Sequence, residues 1–550
     1  MQYNIADLFE CVADHVPGRE AVVSGDRRLT FAGLDARANR VAHALADRGL
    51  EPGDHVGLYL YSCAEFLEVM LGCYKLRAVP VNVNYRYVGD ELAYLVDDAD
   101  LVALVHHRDL TPRVVPIVAG APRLRLLVEV DDGLGDVSAS DAIAYEELLS
   151  VASAERDFGP RSGDDRYLLY TGGTTGLPRG VVWRQEDIFF AALGSGNPGG
   201  PPITRPEEIG RTAQTNRAQR VAPFLPPGDP GPDAFIALSL GPLMHASGQW
   251  LALGTLLGGG TIVIYTDRHV DMCRVLDLVE RERVVMLTLV GDASARPLLD
   301  ELAAHPGAHD TSSLRLLGSG GSILTGEVKN QLLTALPTVL AISEAVGSSE
   351  SPVQAVAIAI PGHASRSLEF KPKEGATMVV DDSLRPIAPG SGAIGRLATK
   401  GRVPLGYYKD PNKTSQTFVD IDGERWALPG DMATVDADGT IRLLGRGSMC
   451  INTGGEKVYP EEVEAVLKAH PHVADALVVG APDERWGERV VAVVQPAPDA
   501  PAPALDELRA HCRSRLADYK APRALFLVDQ VERSPSGKPD YRWAKAVATG

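Results

Sequence analysis

The sequence predicts an α/β fold: a large N-terminal domain of βαβ-rich sublobes over residues 1–446, then a small mobile α+β domain over residues 447–550. Three observations lead there. Short, β-branched apolar runs alternate with stretches whose apolar residues recur every three or four positions, the pattern of parallel sheets covered by helices. The 550 residues leave room for about three or four domains. Near residues 445–448 (GRGS), a strand ending in Leu443 and Leu444 gives way to a unit with a pattern of its own.

The individual elements follow from these patterns. Residues 55–60 (HVGLYL), 101–105 (LVALV), 261–265 (TIVIY), 284–290 (VVMLTLV) and 314–317 (LRLL) read as buried strands. Residues 30–48 and 270–283 have the spacing of amphipathic helices. Residues 194–232 break the rhythm; dense in Gly and Pro and poor in apolar periodicity, they read as a structureless lid or insertion that could cap an acyl entrance. In the small domain Pro460 opens a helix over residues 460–470, and strands are expected at 476–479 and 490–494. No internal repeat is evident.

Composition excludes several classes. The chain is 45% hydrophobic and 23% charged, which rules out a disordered or fibrous protein. The 54 basic and 72 acidic residues leave a net charge of −18, a field that repels phosphate backbones and anionic lipid, so no nucleic-acid partner is expected. The six cysteines are scattered, which suits a reducing compartment. The N-terminus has acids where a signal peptide needs Lys or Arg, and no apolar stretch of about 18 residues occurs, so a cytoplasmic protein without an integral membrane segment is expected.

The strongest chemical signal is YTGGTTGLPRG, residues 170–180, directly after the apolar residues 167–169. A strand running into glycine and threonine lets backbone N–H groups and hydroxyls wrap an oxyanion, with Thr171, Thr174 and Thr175 as added donors. It is not a Walker loop, since no Lys follows in G-x-x-x-x-G-K-[ST] spacing. A second glycine motif, GSGNPG at 194–199, has dinucleotide-fingerprint spacing but is followed by Gly-Gly-Pro-Pro rather than a helix, which leaves no helix N-terminus for a pyrophosphate.

YTGGTTGLPRG resembles the phosphate loop of the adenylate-forming superfamily, which includes acyl-CoA synthetases, luciferases and peptide-synthetase adenylation domains. The remaining motifs agree in order across nearly the whole chain. Residues 318–322 (GSGGS) resemble the adenine-contacting loop, and 346–350 (VGSSE) the segment whose glutamate binds magnesium. Residues 428–431 (LPGD) resemble the ribose turn, and Gly445 with Arg446 the hinge-proximal arginine, with Ser448 at the hinge. Residues 451–464 resemble the glycine loop that faces coenzyme A, and 534–538 (SPSGK) the loop of the catalytic lysine. His245, in GPLMHASGQW, matches the family histidine bordering the acyl pocket. The resemblance therefore implies catalytic roles for Lys538, Glu350 and His245, and Mg2+ ligation by Glu350 and Thr171. It implies ATP binding by Thr171, Gly172, Gly173, Thr174, Thr175, Gly176, Arg179, Gly320, Gly321, Ser322, Val346, Gly347, Ser349, Asp431 and Arg446, and coenzyme A binding at Gly454 and Gly455.

The chemistry of these residues suits those roles. A carboxylate on a tight Pro-Gly turn, as Asp431 is, can accept from both ribose hydroxyls, and one carboxylate plus nucleotide phosphates is the usual holder of magnesium. An ammonium between substrate carboxylate and α-phosphate neutralises charge that develops in the transition state. Four positions depart from the family pattern: Arg179 replaces a lysine, Gln185 a histidine, Val346 the aromatic that stacks on adenine, and Ser448 an Asp or Lys.

The implied activity is ATP-dependent acyl-CoA synthesis through an acyl-adenylate, with ATP, Mg2+ and coenzyme A. Residues 291–298, 402–410, 446–464 and 533–545 are similar to a bacterial branch that activates steroid side-chain acids. A bulky hydrophobic carboxylic acid is expected, with a steroid side-chain acid ahead of a medium- or long-chain fatty acid. Other outcomes compatible with the motifs are a fatty acyl-AMP ligase, a luciferase-type oxygenase and a non-enzymatic nucleotide-binding sensor. A homodimer and a lysine acyltransferase acting on Lys538 complete the expected partners.

Overall fold

The computed structural model describes residues 1–134, 141–171, 178–363, 366–453, 456–483, 487–498, 500–534 and 537–550. It forms two compact units: Met1–Leu287 with Asp310–Arg315 and Arg402–Gln416, and Thr288–His309 with Leu316–Gly401 and Thr417–Gly550.

The first unit is built on an eight-stranded sheet in the order Gly406–Tyr407, Arg179–Arg184, Arg166–Thr171, Val79–Asn82, His55–Tyr59, Leu101–His107, Leu126–Val130, Ile143–Ala144. Its central strands run parallel, and every residue of His55–Tyr59 and Val79–Asn82 is buried, as helices on both faces require. A second set pairs Arg27–Thr30, Glu20–Ser24, Thr261–Ile264 and Ile236–Ser239. The helix predicted over 30–48 runs Phe31–Asp47, with the Thr30 hydroxyl accepting from Gly33 N at 3.1 Å as its N-cap. It packs on Ala64–Leu76 at Gly72, where a Cβ would come within 2.5 Å of Val41 Cγ1.

Residues 194–232 are not structureless. They hold the helix Glu208–Thr215 and 3-10 turns at Gly194–Gly196 and Gln219–Phe224, burying Ile209, Ala213 and Val221. Gly210 receives the His15 ring, which a Cβ would displace. Turns this short leave too few residues for a period to register in sequence. The GSGNPG motif becomes a 3-10 turn with Ser195 at φ 53°, and no α-helix starts there.

The second unit carries Leu316–Gly320 and Ala341–Ser348 in parallel, then an antiparallel run through Ser351–Ala359, Glu369–Pro372, Ile441–Arg446, Asp431–Val435 and Gly395–Lys400. Its last part centres on the hairpin of Val473–Asp483 and Gly487–Pro496, which contains both strands predicted there. Successive residues alternate between two cores. Ala476, Val478, Ala492 and Val494 pack with Val463, Leu467 and Leu508, while Leu477, Val479, Val491 and Val493 pack with Tyr541 and Ala544. No helix among the described residues is long and apolar enough to cross a membrane.

One buried charge anchors the first unit. The side chain of Lys75 is fully buried, its Nζ 2.5 Å from Glu10 Oε1 and 2.8 Å from Asp35 Oδ1. Lys75→Met removes the charge and leaves both acids short of a partner, so it should destabilise the unit by roughly 3–5 kcal/mol. The first transition in urea reads this; an unchanged midpoint would mean that Arg161 and Arg156, which also meet Glu10 and Asp35, suffice alone.

Candidate active site

The second unit gathers four of the sequence-predicted residues. Asp431 and Arg446 are partners on adjacent antiparallel strands, and this register sets Arg446 Nε 3.0 Å from Asp431 Oδ1. Gly430, at φ 106°, makes the turn before Asp431 and its carbonyl accepts from Gly447 N at 3.0 Å. The other carboxylate oxygen, Asp431 Oδ2, is buried without a hydrogen-bond partner. Burial raises the Asp431 pKa; Arg446 opposes this, Glu350 adds to it, and Lys538 pulls it back down.

Glu350 stands in the turn between Ala341–Ser348 and Ser351–Ala359, 9% exposed, and its N–H donates to Ser348 Oγ at 3.2 Å. The preceding Gly347 sits at a register shift, where any Cβ would collide with the Pro352 carbonyl. Glycine is required there by close approach rather than by a positive φ. Val346 is 8% exposed and packs with Ala355, Phe370 and Leu397, as a core residue.

Lys538 retains solvent-exposed surface, yet protein crowds its ammonium from several sides. Burial lowers its pKa and Arg446 lowers it further, while Glu350 and Asp431 act in the opposite direction. Its loop is closed on itself. Ser534 N donates to Lys538 O at 2.9 Å, and Gly537 N to Ser534 O at 2.8 Å. Gly537 has φ 68° and presses against Val290, so a side chain there is excluded twice over.

Arg533, which motif reading passed over, holds this loop in place. Its Nε and Nη2 reach the two oxygens of Asp475 at 2.6 and 2.7 Å, and Nη1 donates to Gly537 O at 2.9 Å and to Ser322 Oγ at 3.5 Å. Arg533 thereby joins the lysine loop to the predicted adenine loop, in which Gly320 ends a strand and Gly321 has φ 80°. An arginine directly before SPSGK was the available signal. Residues 291–298 brace the same loop: Gly291 N donates to Ser319 Oγ at 3.1 Å, Asp292 accepts from Thr325 N at 2.8 Å, and Arg296 donates to Lys468 O at 2.8 Å.

In the first unit, Thr171 ends its strand opposite Arg179, whose Nε lies 3.2 Å from Asp410 Oδ2. Gln185 is fully buried and accepts from Ile5 N at 2.8 Å, a structural use of that position. His245 is the N-cap of the helix Ala246–Leu257. Asn82, which no motif marks, fastens this end, donating to Tyr170 O at 2.8 Å and to Met244 O at 2.7 Å. Gly172, Gly173, Thr174, Thr175, Gly176, Gly454 and Gly455 lie outside the described residues. Ser349 lies in the same turn as Glu350, and Ser448 lies in the 3-10 turn Gly447–Met449.

A further acid touches the cluster. Glu461 Oε1 accepts from Arg446 N at 3.3 Å, while Oε2 is buried without a hydrogen-bond partner. It lies against Gly445, at φ 117°, where any side chain would strike the carboxyl. Burial, reinforced by the charge of Glu464, pushes the Glu461 pKa up to about 8.

Two family models match the chain: AMP-binding enzyme over residues 9–408 and AMP-binding enzyme C-terminal domain over residues 462–538. The chain is 43% identical over 550 residues to a 3-oxocholest-4-en-26-oate–CoA ligase of Rhodococcus rhodochrous, covering 99% of this chain and 96% of that one. It is 44% identical over 552 residues to a medium/long-chain-fatty-acid–CoA/3-oxocholest-4-en-26-oate–CoA ligase of Mycolicibacterium smegmatis, covering 100% and 97%. In fold it is similar to the crystal structure of the anthranilate CoA ligase AuaEII in complex with anthranoyl-AMP, with TM-score 0.82, 23% identity, and coverage of 100% and 98%.

The Glu461 carboxyl generates a stability prediction. Its folded value lies above its ordinary 4.5, so the penalty for ionising it is absent below that value, grows as pH rises through it and levels off above about 8. Glu461→Gln should therefore melt with wild type near pH 4 and at a higher temperature than wild type near pH 8. Melting curves across that range check this, and parallel curves would place the carboxyl in water.

Proposed function

Because the chain belongs to the AMP-binding enzyme family, we propose that it is an ATP-dependent acyl-CoA synthetase acting on a bulky hydrophobic carboxylic acid, a steroid side-chain acid first. The observation that carries this reading is the meeting of Lys538, Glu350, Asp431 and Arg446 in one electrostatic cluster. A nucleotide-binding sensor has no use for a lysine that interacts with two carboxylates, one of them carrying a buried oxygen that lacks a donor.

In the first half-reaction an oxygen of the acid attacks the α-phosphorus of ATP, the bond to the β-phosphate bridging oxygen breaks, and pyrophosphate leaves. The acyl-adenylate remains. Lys538 neutralises the negative charge gathering between carboxylate and α-phosphate. Asp431 accepts from ribose, its unsatisfied Oδ2 being the acceptor that fits a hydroxyl. Gly320, Gly321, Ser322, Val346, Gly347 and Ser349 take the adenine end, and the 172–176 loop with Arg179 takes the phosphates. Glu350, buried and acidic, fits a divalent cation and would hold Mg2+ together with Thr171; the bound ion offsets phosphate charge.

In the second half-reaction the coenzyme A thiol attacks the acyl carbonyl, loses its proton, and AMP leaves with the former carboxylate oxygen. We infer that residues 447–550 turn about Ser448 between the two steps, withdrawing Lys538 and bringing Gly454 and Gly455 to the pantetheine. His245 borders the acyl group. We place the enzyme in the cytoplasm, as a homodimer, with Lys538 open to a lysine acyltransferase that would silence the first step; intact-mass analysis from the native host checks the modification.

The steroid preference rests on the relatives rather than on residues 291–298, which brace the adenine loop. A fatty acid is the second reading, favoured by the dual name of the Mycolicibacterium smegmatis relative. Thioester formation from an equimolar mixture of steroid side-chain acids and graded fatty acids, followed by mass spectrometry, decides between them. A dominant fatty thioester would overturn the preference, and absence of thioester and adenylate alike would overturn the enzyme.

Two variants separate the half-reactions. Lys538→Ala should slow adenylation by about 10²–10³-fold while sparing thioester formation from preformed acyl-adenylate. Equal losses in both would remove Lys538 from its assigned role. Ser448→Pro should do the reverse, because a fixed φ restricts the turn, and unimpaired thioester formation would locate the pivot elsewhere.

A further inference from the structure

Contacts within the second unit join the two sides of the turn at Ser448. Arg533 Nη1 reaches Ser322 Oγ at 3.5 Å, Arg296 Nη2 donates to Lys468 O at 2.8 Å, and Arg446 N donates to Glu461 Oε1 at 3.3 Å. The first two use arginine side chains, which stay charged at any working pH. The third uses a carboxyl that titrates, and it flanks the turn itself. Arg446 directly precedes Gly447–Met449, and Glu461 stands in the first turn of the next helix, Pro460–Lys468.

This seat suits a neutral carboxyl and not an ion. Pro460 fixes the start of the helix, so Glu461 enters the seat as part of a rigid element. Its Oε2 is buried without a hydrogen-bond partner, and the carboxyl lies against Gly445, where the absence of a Cβ makes the room. The titratable and charged groups facing it are Glu464 on its own helix, Asp431 and Arg446 on the adjoining strands, and Tyr541 on the helix Tyr541–Thr549. None supplies a cation to it. Arg446 Nε is committed to Asp431 at 3.0 Å. Glu464 is better served, since its Oε1 accepts from Val478 N at 2.9 Å, and Lys468 and Arg533 oppose the effect of its burial. Burial and the charge of Glu464 hold the Glu461 carboxyl well above the usual carboxylate range. The same carboxyl in water is ionised at neutral pH.

We propose that Glu461 is a positioning residue for the two half-reactions: seated and neutral on Arg446 N, it holds residues 447–550 with Lys538 at the cluster, and its ionisation in water favours the turned arrangement that serves the thiol. The inference rests on the synthetase reading for what each arrangement does. The sign follows from linkage. Leaving the seat releases a proton between the ordinary 4.5 and the seated value, so rising pH across that range favours turning, and the dependence levels off above about 8.

Two readouts on the full-length enzyme test this. Hydrogen exchange of the peptide that contains Arg446 reports the seat directly, and comparing wild type with Glu461→Gln at each pH cancels the intrinsic pH dependence of exchange. The neutral amide keeps the seat at every pH. The variant should therefore match wild type near pH 4.5 and exchange roughly 10-fold more slowly near pH 8. Thioester formation from preformed acyl-adenylate is the second readout, and ionisation of the thiol cancels in the same comparison. Glu461→Gln should be slower than wild type near pH 8, by roughly 10-fold, and approach it as pH falls. Glu461→Ala cannot fill the seat; it should exchange faster than Glu461→Gln at every pH and show no such pH dependence. Melting curves check that both variants fold. Equal exchange by wild type and Glu461→Gln across the range, or both variants displaced in the same direction from wild type near pH 8, overturns the inference. Should no acid yield thioester or adenylate, the synthetase reading falls by itself, and hydrogen exchange still decides on Glu461.

Discussion

The position of Lys538 depends on the Arg533 guanidinium. Two of its nitrogens are locked on Asp475, which is itself held ionised, to a pKa of about 2, by Lys468 and Arg533 against the cost of burial. The remaining nitrogen holds the Gly537 carbonyl, which fixes the lysine loop, and reaches Ser322 at 3.5 Å. These strengths are unequal in a useful way. Asp475, Arg533 and Gly537 all belong to the part proposed to turn about Ser448, so they would travel together. Ser322 lies outside it, and its bond is the longest of the four. A bidentate pair inside the moving part and a weak contact at its edge let the lysine loop leave without losing its shape.

A similar division governs the charges around the lysine. Two cations, Arg446 and Lys538, face two carboxylates, Asp431 and Glu350. Asp431 commits one oxygen to Arg446 through strand register alone, so the pair needs no flexible reach to form. Its other oxygen stays free of protein donors. In the proposed rotation Lys538 is the member of the set that leaves, on a loop that a glycine at φ 68° makes sharp.

Much of the fold was legible because buried parallel strands are short and apolar throughout: HVGLYL and TIVIY could be read from composition, since both faces of those strands are covered. The antiparallel strands from Glu369 to Arg446 were harder to read, because one face is wet and none of them is longer than six residues. The helix Glu208–Thr215 was hidden by the glycines and prolines around it. For the site, motifs located the residues that are fixed by local backbone shape, such as Gly347, Gly537 and Asp431. Asn82, Arg533 and Glu461 act through long-range partners, between 15 and 211 positions away, and no local pattern encodes such a contact. Residues 291–298, read in the sequence only as similarity to relatives, form hydrogen bonds that serve the adenine loop.

Buried charge separates what holds the fold from what serves a ligand. Lys75, Glu68 and the Lys329–Glu344 pair are buried and fully engaged: Glu68 alone meets Arg27, Arg37 and Tyr145. Among the described residues the buried carboxylate oxygens without a hydrogen-bond partner are Asp431 Oδ2 and Glu461 Oε2. Neither lies in the central core of a sheet. One faces the place assigned to ribose, and the other lies against Gly445 at the foot of the proposed pivot. Leaving such an atom unmatched costs stability, and a fold has no reason to bear that cost unless another state relieves it. Ribose hydroxyls would relieve the first, and exposure on domain rotation the second. The two unmatched carboxylate oxygens therefore mark where the proposed cycle brings a ligand or a movement, and the matched charges mark the frame.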